Sequence, residues 1–351
     1  MGTEGEREQF LDQARWARTL GSPFTAALLE ALADDVAAYG PTAAILAQAP
    51  NLRRADAMPL RITGALHALV LSGEDPELAA QYPAQRRAWD MAAVFPLVRQ
   101  AFERDPNWFA TFLKNPPQTN ETRRSIAFLP AFARAAELGG PLHMLEIGAS
   151  AGLNLSWDQF AYRTRDWAWG RAGEETPLID CDWRGPPPNL RLGLVVRTRA
   201  GCDQNPLDVR NPDERLRLKS YIWPDQRDRL DRFERAVALA IANDVRVDRD
   251  DAGAWLRGKL VGRLPEGVTI VYHSIAWQYF SQETKAAAFS AIERTAAIAE
   301  PYRRFAWVRF EHDRVLDYGG DGYSVDLTVW PGGERRRIAR VDPHARWVEV
   351  L

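Results

Sequence analysis

The sequence predicts an α/β protein that begins with an all-helical region. In the first part of the chain, apolar residues recur at helical spacing, as at Phe24, Leu28 and Leu32. Further along, short apolar runs alternate with helical segments, which is typical of an α/β sheet. We therefore expect a helical N-terminal domain over residues 1–138, acting as a lid, and an α/β domain over residues 139–351.

The second part of the chain contains eight apolar runs that we predict as strands. They are Leu142–Ile147, Leu192–Arg199, Val245–Val247, Val268–Tyr272, Arg304–Phe310, Tyr323–Trp330, Arg336–Val341 and Trp347–Leu351. The predicted helices between them are Leu155–Tyr162, Asp213–Tyr221, Asp225–Ala242, Ala252–Leu260 and Glu283–Ile298. The last strands have no long helix between them, so we expect an antiparallel edge of the sheet. The segment Arg163–Asn189 fits neither pattern and is predicted to be an insertion at about 163–190.

Composition limits the partners that the protein is expected to have. The 45 basic and 47 acidic residues leave a net charge of -2, so no net field attracts nucleic acid or an anionic membrane. The two cysteines, Cys181 and Cys202, are too few for a disulfide framework and lie in no metal-binding pair. No apolar run approaches the roughly 18 residues of a membrane span. We expect a cytoplasmic protein that acts on a small molecule without a metal; its oligomeric state is not indicated.

A glycine-rich turn follows the first predicted strand. An acidic residue, a glycine and a second glycine four positions later allow the chain to turn tightly at the carboxyl end of a strand, so that a nucleotide cofactor lies against the backbone amides. In methyltransferases that use S-adenosylmethionine, such a turn holds the methionine and ribose portions. The predicted cofactor-binding residues here are Glu146, Gly148, Ser150, Gly152 and Asn154.

The same turn also matches the nucleophile elbow of serine hydrolases, Gly-x-Ser-x-Gly. In that interpretation Ser150 attacks an ester, and Asp326 and His344 supply the acid and the histidine in the expected order. An elbow normally follows several strands, whereas everything upstream of Leu142 is predicted to be helical. We therefore favour the cofactor turn, and a serine hydrolase or a tight turn without a ligand remains the alternative.

Two acids downstream are candidates for contacts to the cofactor. Asp203 follows the second predicted strand, where a carboxylate accepts hydrogen bonds from ribose hydroxyls. Its separation from the glycine turn exceeds the usual distance of ~20 residues, and the insertion accounts for the difference. Asp251 follows the third strand and would lie near the adenine. Either residue could instead be a surface acid or a helix N-cap.

The fourth predicted strand of the α/β region ends in a polar and aromatic cluster. His273 is placed at the carboxyl end of that strand, where it could act as a general base near neutral pH. A core histidine bonded to backbone is the alternative. Trp277 and Tyr279 follow it and are predicted to contact the substrate.

A polar cluster precedes the first strand. A helix that starts at Thr119 or Asn120 could donate backbone amides to the carboxylate of the cofactor, and we assign Asn120 to the cofactor and Gln118 to the substrate. Helix capping alone would also explain these residues. Glu311, at the end of the fifth strand, and His344, near the C-terminus, are further predicted substrate contacts.

Several motifs together resemble those of an uncharacterised bacterial family catalogued as a domain of unknown function. They are Gln118–Glu121, Glu146–Leu155, Asp203–Asp208, Trp223–Asp225, His273–Ser274 and Asp342–His344, and the resemblance covers nearly the whole chain. More distantly, the glycine turn and the strand order look like those of class I methyltransferases. That resemblance implies a Rossmann-like sheet of seven strands with an antiparallel edge, and S-adenosylmethionine as the ligand. It leads us to expect a methyltransferase for a small molecule, with a non-catalytic cofactor-binding protein as another alternative.

Overall fold

The computed structural model describes residues 3–48, 57–83, 88–190 and 194–351. The chain comprises two compact units. The first consists of the described residues up to Thr119 together with Arg210–Asp231, and the second of Asn120–Val209 and Arg232–Leu351, within their described parts. The division therefore lies inside the region that the sequence analysis assigns to the helical domain.

Several of the helices begin at a capping side chain. Within the described residues they are α1 (Thr3–Thr19), α2 (Pro23–Ala37), α3 (Pro41–Ala47), α4 (Met58–Ser72), α5 (Pro76–Gln81), α6 (Met91–Arg104), α7 (Pro106–Phe112), α8 (Ser125–Ala136), α9 (Pro212–Ser220), α10 (Arg227–Ala242), α11 (Ala252–Lys259) and α12 (Gln282–Ala297). Ser22, Asp75 and Asp105 each accept a hydrogen bond from a backbone amide of the first turn that follows. Each satisfies one of the amide groups that a helix start leaves without a partner.

The first unit has its own hydrophobic core, formed by the predicted helical stripe. Phe24, Leu28 and Leu32 of α2 are at most 2% exposed. The Phe24 ring packs edge-to-face on Tyr82 and Trp89, with centroid distances of 4.9 and 5.5 Å, a favoured arrangement of aromatic pairs. The prediction of a helical N-terminal region is confirmed for the described residues.

The second unit contains a large mixed sheet. The strands of the chain are β1 (Leu142–Ile147), β2 (Ala161–Arg163), β3 (Ala168–Trp169), β4 (Leu178–Asp180), β5 (Asp182–Arg184), β6 (Val196–Asp203), β7 (Val247–Arg249), β8 (Gly267–Ser274), β9 (Arg303–His312), β10 (Tyr323–Trp330), β11 (Glu334–Val341) and β12 (Trp347–Val350). The large sheet has the order β5-β12-β11-β10-β9-β8-β1-β6-β7. Strands β7, β6, β1, β8 and β9 are parallel, whereas β9 to β12 are antiparallel to one another.

The strand order reverses at the centre of the parallel half. The chain runs from β1 outward through β6 to β7 and then returns to β8 on the other side of β1. The carboxyl ends of β1 and β8 therefore flank a topological switch point, where open α/β sheets bind ligands.

The sheet has nine strands in the described residues instead of the seven that the resemblance implies. The predicted antiparallel run is confirmed and comprises β9 to β12. The insertion supplies one further strand, because β5 pairs in parallel with β12. Strands β3 and β4 of the insertion form a separate three-stranded sheet with β2, which lies at its start. The predicted strand Leu192–Arg199 is displaced to β6, and its start lies outside the described residues.

Two helical predictions are wrong in detail. The predicted helix Leu155–Tyr162 is a short 3-10 helix at Leu153–Gln159, interrupted at Ser156, whose backbone is not helical. The predicted helix start at Thr119 or Asn120 is replaced by a 3-10 turn at Thr122–Arg124 that leads into α8.

The sheet is covered on both faces. Val271 of β8 belongs to a buried cluster with Trp255 of α11 and Ile292 of α12. The next residue, Tyr272, points to the opposite face, where its ring lies 5.5 Å from Phe128 of α8. Alternate residues of β8 thus bury themselves under different helices, which explains why this strand is apolar throughout.

Candidate functional site

The glycine turn lies at the carboxyl end of β1, as predicted. Gly148 and Gly152 adopt φ values of +69° and +74°, which L side chains rarely adopt. A Cβ atom on Gly148 would lie 2.6 Å from the Cβ atom of Ala276, so the loop after β8 approaches the turn closely. Ser150 also has a positive φ, +56°. Backbone geometry therefore favours glycine at both positions, and the close approach of the loop after β8 also restricts Gly148.

Three of the predicted cofactor residues bind the turn and its flanks. The Oδ2 atom of Asp203 accepts a hydrogen bond from the Ser150 amide at 2.9 Å. Asn120 Oδ1 accepts from the Leu153 amide at 2.9 Å, and Asn154 Nδ2 donates to the Glu121 carbonyl at 3.3 Å. The structure therefore brings these residues together, and each contributes to holding the turn in place.

Glu146 is buried beneath the turn, at 2% exposure. Its Oε2 atom accepts a hydrogen bond of 3.2 Å from the Tyr272 hydroxyl. Burial raises the pKa of Glu146 to about 8, and the charge of Asp203 acts in the same direction. The raised pKa favours the neutral form of Glu146 at neutral pH, although the Tyr272 hydrogen bond acts in the opposite direction.

The most unusual contact at this end of the sheet joins His273 and Glu311. Both side chains have zero exposure, and His273 Nδ1 lies 2.7 Å from Glu311 Oε1. The same Oε1 atom accepts hydrogen bonds from the amides of Ala276 at 2.8 Å and Trp277 at 2.9 Å. Because this oxygen accepts two backbone hydrogen bonds, we assign the proton of the histidine contact to His273 Nδ1.

One side-chain atom of His273 and one of Glu311 take part in no hydrogen bond within the described part of the chain. His273 Nε2 and Glu311 Oε2 are buried and make no hydrogen bond to any residue that the structure describes. The Trp277 ring stacks on His273 at a centroid distance of 5.4 Å. Buried polar atoms in folded proteins are nearly always paired, so these two unpaired atoms call for an explanation.

The remaining predicted site residues have different surroundings. Asp251 is the N-cap of α11, which confirms the capping alternative, since its Oδ1 atom accepts from the Gly253 amide at 2.9 Å. His344 Nδ1 lies 3.4 Å from Glu121 Oε2. Tyr279 is 76% exposed on the loop after β8. Gln118 belongs to the first unit, where its Oε1 atom lies 3.5 Å from Arg217.

Sequence analysis did not single out Arg124, which joins three segments of the second unit. Its Nε atom donates to the Pro343 carbonyl at 2.9 Å, and a terminal nitrogen donates to the Ser274 carbonyl at 3.3 Å. Its guanidinium lies 6.0 Å from the centre of the Phe310 ring. In the sequence, Arg124 stands three residues after the polar cluster Gln118–Glu121, which was the one local indication of its role. Its contact with Pro343 spans more than 200 residues of chain, so local pattern could not reveal it.

The arrangement that a serine hydrolase needs is incomplete. Ser150 has the positive φ of an elbow, but its hydroxyl is buried and makes no hydrogen bond within the described parts of the chain. Upstream of β1, the described residues form helices and connecting segments without a strand. No neighbouring histidine therefore activates Ser150 in this structure.

These features define an α/β protein with a Rossmann-like parallel half-sheet and a cluster of buried polar residues at the carboxyl ends of its strands. A family model described as "Uncharacterized protein conserved in bacteria (DUF2332)" matches residues 7–350, so the chain belongs to this family. No curated protein and no solved structure matches the chain significantly. Over the residues described, no helix has both the length and the apolar character needed to cross a bilayer. The same residues contain no group of three or more side chains suited to a metal ion.

Proposed function

We propose that the second unit binds S-adenosylmethionine at the carboxyl ends of β1 and β8, and that the protein is a cytoplasmic methyltransferase for a small molecule. The observation that carries the proposal is the glycine turn at the point where the strand order reverses. In open α/β sheets this is where a nucleotide cofactor finds backbone amides and a crevice. The class I methyltransferase resemblance then supplies the identity of the cofactor.

The cofactor contributes an electrophilic methyl group, and the protein contributes positioning and a proton acceptor. Asp203 and Asn120 bind backbone amides of the turn and would fix the shape of the surface against which the cofactor lies. His273 is the proposed general base through Nε2, and Glu311 orients the ring by binding Nδ1. Glu311 is therefore a positioning residue in this proposal, not the substrate contact that the sequence suggested.

The acceptor side of the site is proposed from the loops that follow the strands. Trp277 and Tyr279 lie after β8, and His344 lies in the turn before β12. His273 has zero exposure in this structure, so access to Nε2 requires the loop carrying Trp277 to move. Loops that close over a site in this way commonly exclude water during the reaction.

The test is isothermal titration of the full chain with S-adenosylmethionine and S-adenosylhomocysteine. Asp203→Ala removes the acceptor that holds the Ser150 amide, and we expect binding to weaken at least about tenfold, or roughly 1.4 kcal/mol. Asp208→Ala is the matched control, because Asp208 is an exposed acid of the same loop. Gly148→Arg is less informative, since Ala276 already occupies the space beside Gly148.

The outcomes separate the competing functions. Binding that weakens in Asp203→Ala and persists in Asp208→Ala supports the cofactor site. Binding without methyl transfer to any acceptor in a screen, and unaffected by His273→Ala, indicates the non-catalytic binding protein. Absence of heat with both ligands at high concentration contradicts the proposal. Ester hydrolysis that disappears in Ser150→Ala would then establish the serine hydrolase instead.

A further inference from the structure

An open surface cavity lies on the second unit, where the insertion meets the 3-10 turn before α8 and the start of β12. Its volume is about 330 Å³, which is within the range of small-molecule sites. Its lining residues are Arg123, Arg163, Thr164, Arg165, Asp180, Cys181, Asp182 and Arg346. None of these residues belongs to the proposed cofactor site.

The walls of this cavity are held together by backbone and ionic contacts. The Asp182 amide donates to the Arg346 carbonyl at 2.8 Å, where β5 pairs with β12. Arg123, whose side chain is only 13% exposed, reaches Asp180 at 3.3 Å. The insertion is thereby attached to the 3-10 turn before α8 and to the start of β12, so the cavity is a defined part of the fold.

The cavity carries a surplus of positive charge. Four arginines face two aspartates in the lining. Burial raises the pKa of the Cys181 thiol to about 12, so the thiol adds no negative charge.

Arg163 is an arginine of the cavity lining that can bind a ligand directly. Its side chain makes no hydrogen bond or ion pair with any residue in the described ranges, whereas Arg346 is held by Asp342 at 2.6 Å. A guanidinium group presents paired donors that match the oxygens of a phosphate or carboxylate. The positioned arginines of the wall and the uncommitted Arg163 together form a receptor for such oxygens.

We propose that this cavity binds a small oxyanion ligand with two or more negative charges, namely a phosphate ester or a dicarboxylate. The insertion, which the cofactor site does not explain, then has a ligand-binding role. The proposal is independent of the methyltransferase proposal. If both hold, the anionic compound occupies a site of its own on the same unit.

The experiment measures binding of inorganic phosphate, pyrophosphate and succinate to the full chain by calorimetry at low salt. We expect Arg163→Ala to weaken binding at least about tenfold and Arg163→Lys to weaken it less, because lysine retains the charge without the paired donors. Arg257→Ala is the matched control, since Arg257 is an exposed arginine on α11 of the same unit. Binding of S-adenosylmethionine should be the same in all three variants.

Tighter binding of pyrophosphate or phosphate than of succinate identifies a phosphate site, and the reverse order identifies a carboxylate site. Both results support the proposal when Arg163→Ala alone reduces the affinity. Equal losses in Arg163→Ala and Arg257→Ala would show a nonspecific charge effect and overturn it. Failure of all three anions to bind overturns it as well, whatever the result with S-adenosylmethionine.

Discussion

The parallel and antiparallel halves of the large sheet differ in whether their buried polar groups are paired. In the antiparallel half, Asp326 of β10 has zero exposure, and both of its oxygens are paired. Arg309 binds them at 2.9 and 2.7 Å, and Arg335 adds a bond of 2.8 Å. The nearby Asp313 is bound by Arg337 at 2.8 Å. Buried charges here are neutralised by partners within the sheet.

In the parallel half, several buried polar atoms lack a hydrogen-bond partner among the described residues. His273 Nε2, Glu311 Oε2 and the Ser150 hydroxyl are all buried without a hydrogen bond to a described residue. All three lie at the carboxyl ends of strands, where parallel sheets bind ligands. The comparison teaches that burial of polar groups alone does not mark a functional site in this protein. The proposed site combines unpaired buried atoms with a position at the carboxyl ends of parallel strands.

The largest expected effect concerns the antiparallel half. Asp326→Ala leaves the Arg309 guanidinium without its main partner, and we expect a loss of about 3–5 kcal/mol of unfolding free energy. Urea unfolding measures this loss. The control is Asp321→Ala, because Asp321 pairs with Arg314 at the surface, with side chains 70–80% exposed. Exposed pairs contribute little, so similar losses in the two variants would contradict the structural role of Asp326.

The second prediction concerns Glu146, whose pKa is raised from 4.5 to about 8 by burial. Between these values the native protein keeps a proton that the unfolded chain releases, so stability falls as the pH rises. We expect the unfolding free energy of the wild type to decrease relative to Glu146→Gln by up to about 1.4 kcal/mol per pH unit. Urea unfolding at pH 5, 6, 7 and 8 measures this difference.

The control for that series is Glu266→Gln, since the Glu266 side chain is 77% exposed. The difference between the wild type and this variant should stay level over the same pH range. A level difference for Glu146→Gln as well would mean that Glu146 is ionised in the native state, and the neutral assignment would be wrong.

The smallest expected effect tests Glu311 as a positioning residue. Glu311→Gln keeps the shape and one acceptor oxygen but removes the charge that strengthens three hydrogen bonds. We expect a loss of about 1 kcal/mol in unfolding free energy. If the methyltransferase proposal holds, the pH profile of kcat should also shift, because His273 loses its charged partner. Glu334→Gln, an exposed residue of β11, should change neither quantity, and a pH profile unmoved by Glu311→Gln would leave Glu311 a purely structural role.

Much of the fold follows from local pattern. The bounds of β1 and β10 agree with the predicted runs Leu142–Ile147 and Tyr323–Trp330. The glycine spacing predicted the turn, because few other residues adopt a positive φ at low cost. The prediction failed at Ser156, where a non-helical residue interrupts an apolar pattern that is compatible with a helix. It also missed β5, since a three-residue strand is too short to show a period.

The sequence predicted where the candidate site lies but not which of its residues contact one another. The sequence indicated His273, Glu311 and Asp203 separately, because each follows an apolar strand. It did not indicate that Glu311 binds His273, or that Asp203 binds the Ser150 amide, because these contacts depend on strand order. The sequence did not indicate Arg124 for the same reason, since its partners Ser274 and Pro343 belong to distant segments.

The sequence by itself determined the helical first part, the alternation of strands and helices, and the tight turn after β1. These features depend on interactions between residues near one another in the chain, which hydrophobic period and glycine placement record. Only the tertiary structure decided which buried charges are paired and which polar atoms remain free. Asp326 meets Arg309 across two strands, and Glu311 meets His273 across two others, through sheet register. Register follows from the packing of whole faces, so no local pattern reveals it.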